Sequence, residues 1–139
     1  MERSAVIPVL LLMVFLGSCG TGQGRQESQL AGTGNEGGAY IEFSNIRHDF
    51  GNVRHGERLV YTFRYKNAGN APLVIHSANA DCGCTVPEFD SSPLPPGGEG
   101  SLRVVFDTRG FRGRQVKTIN LFTNAENAVV TLALRAMIE

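Results

Sequence analysis

Tryptophan is absent from the chain, neither sign of charge is in surplus, and only three cysteines occur among its 139 residues. Lys+Arg and Asp+Glu are each 13, so no basic field attracts nucleic acid and no acidic tail suits a basic partner. No stretch keeps the apolar period of a long helix, and no apolar run is long enough to cross a bilayer as a mature helix. The string Gly32-Thr33-Gly34-Asn35-Glu36-Gly37 matches a dinucleotide fingerprint by letter, but no strand precedes it and no helix follows, so nucleotide binding is not expected. Asp49-Phe50-Gly51 shares its letters with a kinase magnesium motif, yet the chain has no room for a kinase; Phe50 reads as core and Gly51 as a turn residue. His48, His55 and His76 are scattered and no nucleophile sits on a recognisable elbow, which argues against a hydrolase.

What is present begins with an address. The apolar run Ala5 to Leu16 has the length of a signal-peptide core. Directly after it, Leu16-Gly17-Ser18-Cys19 resembles a bacterial lipoprotein box, in which the cysteine is acylated, for example with palmitate, and becomes the first mature residue. Residues 1–18 are thus expected to be a lipoprotein signal peptide and Cys19 the lipidation site, with buried acyl methylenes contributing about 0.8 kcal/mol each to anchoring. Gly20 in place of Asp after the cysteine resembles the sorting pattern for the outer membrane, here with the domain facing the periplasm. The segment from residue 19 to 39 is rich in Gly, Gln, Ser and Thr; it buries too little to offset its ordering entropy and reads as a flexible tether.

From residue 40 to 139 the pattern becomes period two. Leu59, Tyr61, Phe63 and Tyr65 alternate with Val60, Thr62, Arg64 and Lys66, and the same alternation marks Ile41/Phe43, Leu73/Ile75, Leu102/Val104/Phe106, Ile119/Leu121 and Val130 through Ala136. Turn signals separate these runs at Arg54-His55-Gly56-Glu57, at Asn67 to Pro72, at Pro95-Pro96-Gly97-Gly98, at Arg109 to Gly113 and at Asn124 to Asn127. Gly51, Gly56, Asn67, Gly69, Pro72, Pro96 and Gly97 are the expected structural turn residues, with Gly69 supplying φ freedom and Pro72 rigidity. About seven short strands in roughly one hundred residues predict an all-β, antiparallel, immunoglobulin-like sandwich of two packed sheets. Arg109, Arg112 and Arg114 with Phe111 read as a solvated turn rather than an anion site.

The ordered series Asp49-Phe50-Gly51-Asn52-Val53, Asn67-Ala68-Gly69-Asn70-Ala71-Pro72, Cys82-Gly83-Cys84-Thr85, Pro96-Gly97, Val105-Phe106-Asp107 and Thr123-Asn124 resembles a bacterial immunoglobulin-like family. That family is catalogued as a domain of unknown function, number fifteen seventy-three, related to Hydin and major-sperm-protein type sandwiches. The resemblance implies the fold, export and frequent lipidation, and implies no activity.

Cys82 and Cys84 leave three chemistries open. They can form a small-ring disulfide in an oxidising compartment, with Gly83 allowing the turn; they can serve thiol–disulfide exchange; or, as paired thiolates, they can take Cu(I) or zinc. His76 shares parity with Cys82 but lies roughly 20 Å away along an extended strand, which makes it a weak fourth party. The expected role is a binding or scaffolding module without cofactor, anchored to the membrane and meeting another envelope protein, rather than an enzyme. The alternative is a periplasmic thiol–disulfide or Cu(I)-handling protein using Cys82-Gly83-Cys84. A pilus-type chaperone shares the sandwich architecture but needs a second domain.

Overall fold

A computed structural model describes residues 37–139, so the expected signal peptide, the expected lipidation site Cys19 and most of the expected tether lie outside the described residues. Eight strands follow in order: β1 Ile41–Phe43, β2 Arg47–Val53, β3 Arg58–Asn67, β4 Ile75–Ala80, β5 Thr85–Phe89, β6 Glu99–Asp107, β7 Gly113–Thr123 and β8 Val129–Ile138. They form two four-stranded sheets, β1-β3-β6-β5 and β2-β8-β7-β4. The all-β immunoglobulin-like sandwich read from the alternation is therefore the architecture.

Two details differ from expectation. β2 pairs with β8 in parallel, so the sandwich is not antiparallel throughout. The chain leaves the first sheet after Phe43 and reaches the second by Arg47, where it runs beside the last strand in that strand's own direction. The strands that the alternation did not mark are β2, reached by this crossing, and β5, which carries Pro87.

The core is the sum of the inward positions. Phe63, Leu102, Val104 and Phe106 from one sheet meet Ile119, Leu121, Leu132 and Leu134 from the other, all essentially excluded from solvent. Ala39, just ahead of the first strand, is buried in the same core. Aromatic rings line one side: Tyr61 stacks on His48 at 3.7 Å, and Phe50 meets His48 edge-on at 4.6 Å. Phe50 is half-buried at this border rather than central. On the outer face of the first sheet, Val105 is hidden because Val60 and Val86 flank it in register.

Candidate functional site

The chain passes from one sheet to the other through Asp81-Cys82-Gly83-Cys84. Asp81 ends β4: its N–H donates to the Thr118 carbonyl at 3.1 Å, and its Oδ2 accepts from the Thr118 N–H at 3.0 Å and hydroxyl at 3.1 Å. The Thr85 N–H donates to the Cys82 carbonyl at 3.2 Å, and the Asp107 N–H to the Cys84 carbonyl at 2.9 Å, which starts β5. A disulfide joins Cys82 and Cys84, whose Cα atoms are 5.2 Å apart. The buried Thr85 hydroxyl lies 3.6 Å from one sulfur and 3.8 Å from the other. Gly83 does not use its special freedom here: its φ is not positive, and a Cβ would find nothing within 4 Å. The expectation that the turn depends on glycine is corrected: a turn closed by the Thr85 N–H on the Cys82 carbonyl brings the two sulfurs together without a positive φ at Gly83.

His76 is exposed on β4, and the strand continues to Ala80, so the fold does not fold it back toward the sulfurs. Among the described residues no group of three or more His, Cys, Asp or Glu side chains converges. Cys19 lies outside the described residues.

The turn residues form a second constellation at the other end of the sandwich. Asn67 is wholly buried: its Nδ2 donates to the carbonyls of Ala71 at 2.8 Å and Leu94 at 3.0 Å, while Oδ1 accepts from the Gly69 N–H at 3.0 Å. Its main chain binds Gly97 and Gly98, placing Pro96-Gly97, with Gly97 at φ 76°, against the same loop. Pro72 donates nothing and its carbonyl accepts from Asn124 Nδ2 at 2.9 Å. Gly69 serves by close approach rather than by φ freedom, correcting the reading above: a Cβ there would lie 2.3 Å from the Gly38 carbonyl oxygen. Gly51 and Gly56 do take positive φ, 69° and 89°.

The Arg109 to Gly113 turn is only partly solvated. Phe111 folds inward to 5.8 Å from Phe106, and the ammonium of Lys117 sits 4.1 Å from the Phe111 ring centre. Lys117 occupies an inward position of β7, and its stem caps the core while the charge rests on aromatic faces. Arg109 Nε donates to Asp107 Oδ2 at 2.9 Å, and this contact with the adjoining backbone N–H holds the Asp107 carboxyl down to about 2.

Four strands border the two sheets, and their outward backbone groups differ. On β1, Ile41 and Phe43 face outward, and Asn127 takes both groups of Ile41, accepting from the N–H at 3.1 Å and donating to the carbonyl at 2.8 Å. On β5 the Cys84–Asp107 bond sets the alternation, so Thr85, Pro87 and Phe89 face outward: the Thr85 N–H is taken by the Cys82 carbonyl, Pro87 in the middle has no N–H, and Phe89 is left at the end. β2 is broken by a register shift between Asp49 and Asn52, with Gly51 N–H turned onto Asp49 Oδ1 at 2.9 Å. β4 has its irregularity between Ile75 and Ser77 and is regular from there to Ala80. The Asp81–Thr118 bond fixes its alternation, so the N–H and carbonyl of Ala78 and Ala80 point away from β7 and find no partner among the described residues. Sequence reading missed this edge: the two alanines carry no signal of their own, and Asn127 lies too far along the chain from Ile41 for its capping role to be read.

No curated protein matches the chain in sequence. Among solved structures it is similar to a protein of unknown function from Porphyromonas gingivalis W83, with TM-score 0.63 and 22% identity over 72% of this chain and 47% of that one. It is also similar to the ASH/PapD-like domain 7 of human CEP192, TM-score 0.59 and 14% identity over 71% of this chain and 84% of that one. The Pseudomonas aeruginosa CupB2 chaperone gives TM-score 0.53 and 15% identity over 70% of this chain and 55% of that one. The chain thus spans about half the length of the first and last of these, and such low identities show the fold alone. Residues 41–138 match the family described as Protein of unknown function (DUF1573), and the chain belongs to that family.

Proposed function

We propose that this chain is an outer-membrane lipoprotein, acylated at Cys19 and facing the periplasm, whose sandwich binds another envelope polypeptide by strand addition. The observation that carries the reading is the β4 edge, which is regular from Ser77 to Ala80 and presents the unpaired backbone donors and acceptors of Ala78 and Ala80, where Asn127 caps Ile41 on β1 and Pro87 interrupts β5. Such an edge is a template for an extended chain. CupB2, a chaperone by its description, shares the fold, and a polypeptide-binding role for this chain is consistent with that likeness. The reading is of a binding module rather than an enzyme, with partners in the envelope and none among nucleic acids or nucleotides.

Photo-crosslinking in cells tests it. A photoreactive residue at exposed Asn79 is expected to give a discrete adduct, while the same residue at Glu42 on β1 or Glu88 on β5 gives none. Labelled palmitate should enter the wild-type chain and not Cys19→Ser. Absence of an adduct from every edge would overturn the binding reading, and palmitate retained in Cys19→Ser would overturn the anchor.

A second reading rests on the disulfide at the crossover, where Gly83 is exposed. A partner thiolate would attack one sulfur, form a mixed disulfide and release the other sulfur as a thiolate. Cu(I) binding would need both sulfurs reduced first by such a partner dithiol, since a bonded pair offers no thiolate. Loss of the cellular phenotype in a folded Cys82→Ser chain would favour this reading, and indifference would remove it.

A further inference from the structure

Resting on the polypeptide-binding reading, we infer that the β4 edge selects an extended segment with bulky apolar residues at alternate positions. The side chains that each edge strand turns inward carry the argument. β1 offers Ile41 and Phe43, β2 offers His48, Phe50 and Val53, and β5 offers Pro87 and Phe89. β4 offers only Ala78 and Ala80 over its regular length, both half-buried against the core. Of the four edges β4 has the smallest inner face, and beside that face the outward backbone groups of Ala78 and Ala80 are free.

An added strand would pair with the N–H and carbonyl of Ala78 and Ala80, and every second side chain of it would point to the inner face beside those alanines. Bulky apolar groups there complete the layer begun by Ile119 and Leu121, the neighbours of Ala80 and Ala78 in register. The intervening residues would face outward with Ser77 and Asn79, whose neighbours on β7 are exposed Phe122 and Asn120, so the position beside Asn79 suits a polar uncharged group. Asp81 and the disulfide turn close this track at its end.

Two other occupants fit less well. A second copy pairing β4 with β4 would set small methyl groups against small methyl groups and bury little apolar area. The chain's own tether supplies few apolar residues, Leu30 and Ala31 among Gly, Gln, Ser and Thr, and no alternating run of them. The occupant is a segment of another protein.

The test is amide hydrogen exchange by NMR on the full chain in detergent micelles, with a capped peptide of alternating valine and threonine as the probe. Exchange at the Ala78 and Ala80 amides is expected to slow by about tenfold or more on peptide addition. Amides of Phe43 and Phe89 on other edges should not change. The same peptide with glycine for valine should give no protection. Ala78→Pro removes an outward N–H without touching the β7 ladder, and should abolish the effect at Ala80 while the Ile119 and Leu121 amides stay protected. Should that variant fail to fold, peptide N-methylated on one edge serves the same purpose on the wild-type chain. Equal protection by the glycine peptide, or none by the valine peptide, overturns the inference. Protection already present in the free chain would assign the edge to the tether, and protection rising with protein concentration would assign it to a second copy; either overturns it. Protection at a different edge overturns this placement and leaves polypeptide binding standing, whereas failure here together with no cross-linked adduct removes both.

Discussion

Single residues in this fold are required for different physical reasons, and glycines separate them well. Gly69 packs under the Gly38 to Tyr40 backbone, where a methyl group has no room, whereas Gly83 faces open space in an ordinary conformation. Gly69→Ala is expected to cost about 1–3 kcal/mol by forcing backbone apart, and Gly83→Ala to stay within about 0.5 kcal/mol, both measured by urea unfolding. A large loss at Gly83 would show that the cysteine turn needs glycine after all. Asp107 gives a residue-scale pH dependence. Its folded value of about 2 lies below the unfolded 3.8, so its contribution is complete above about pH 4 and is lost as the pH falls through about 2. Arg109→Ala should move the Asp107 carboxyl titration upward in an NMR pH series; an unmoved value would assign the depression to the backbone N–H alone. Tyr65 is shifted the other way: burial, and then the charge of Asp90, raise its phenol above 10.0.

At the scale of elements, strand identity followed from alternation, while pairing did not. Tyr61, Phe63 and Tyr65 announce the inner face of β3 by parity alone. Nothing in Arg47 to Val53 announces that β2 runs parallel to β8, because direction is decided by where the preceding crossing delivers the chain. β5 is hidden similarly, since Pro87 argues against a strand until its outward place on an edge is known. That place yields a prediction. Pro87→Val restores an outward N–H and is expected to make the chain associate at high concentration, visible in sedimentation, with little change in the stability of the folded unit. A variant that stays monomeric would mean that β5 is protected by something other than the proline.

For the whole molecule, the disulfide is a local clasp on a crossover between two sheets that already share one core. The closed ring is small, so chain entropy assigns it only about 1.6 kcal/mol. Replacing both Cys82 and Cys84 by Ser should lower the urea midpoint by an amount near that and leave the sandwich folded. A collapse of the fold would instead give the bond a structural task that ring closure does not explain.

The composition, the alternation and the turn residues determined by themselves that the chain from residue 40 on is a β-sandwich, because a period of two admits only half-buried strands and these must bury one face. They also singled out Cys82 and Cys84 and the Asn67 to Pro72 turn. Only the tertiary structure decided how each edge is capped, interrupted or left free. Asn127 reaches Ile41 across 86 positions, Pro87 is harmless only because it faces outward, and Ala78 and Ala80 become notable only beside the larger side chains of the other edges. Hydrogen-bond parity at a sheet border depends on which strand lies next to it, and that neighbour is set by packing rather than by any local run of residues.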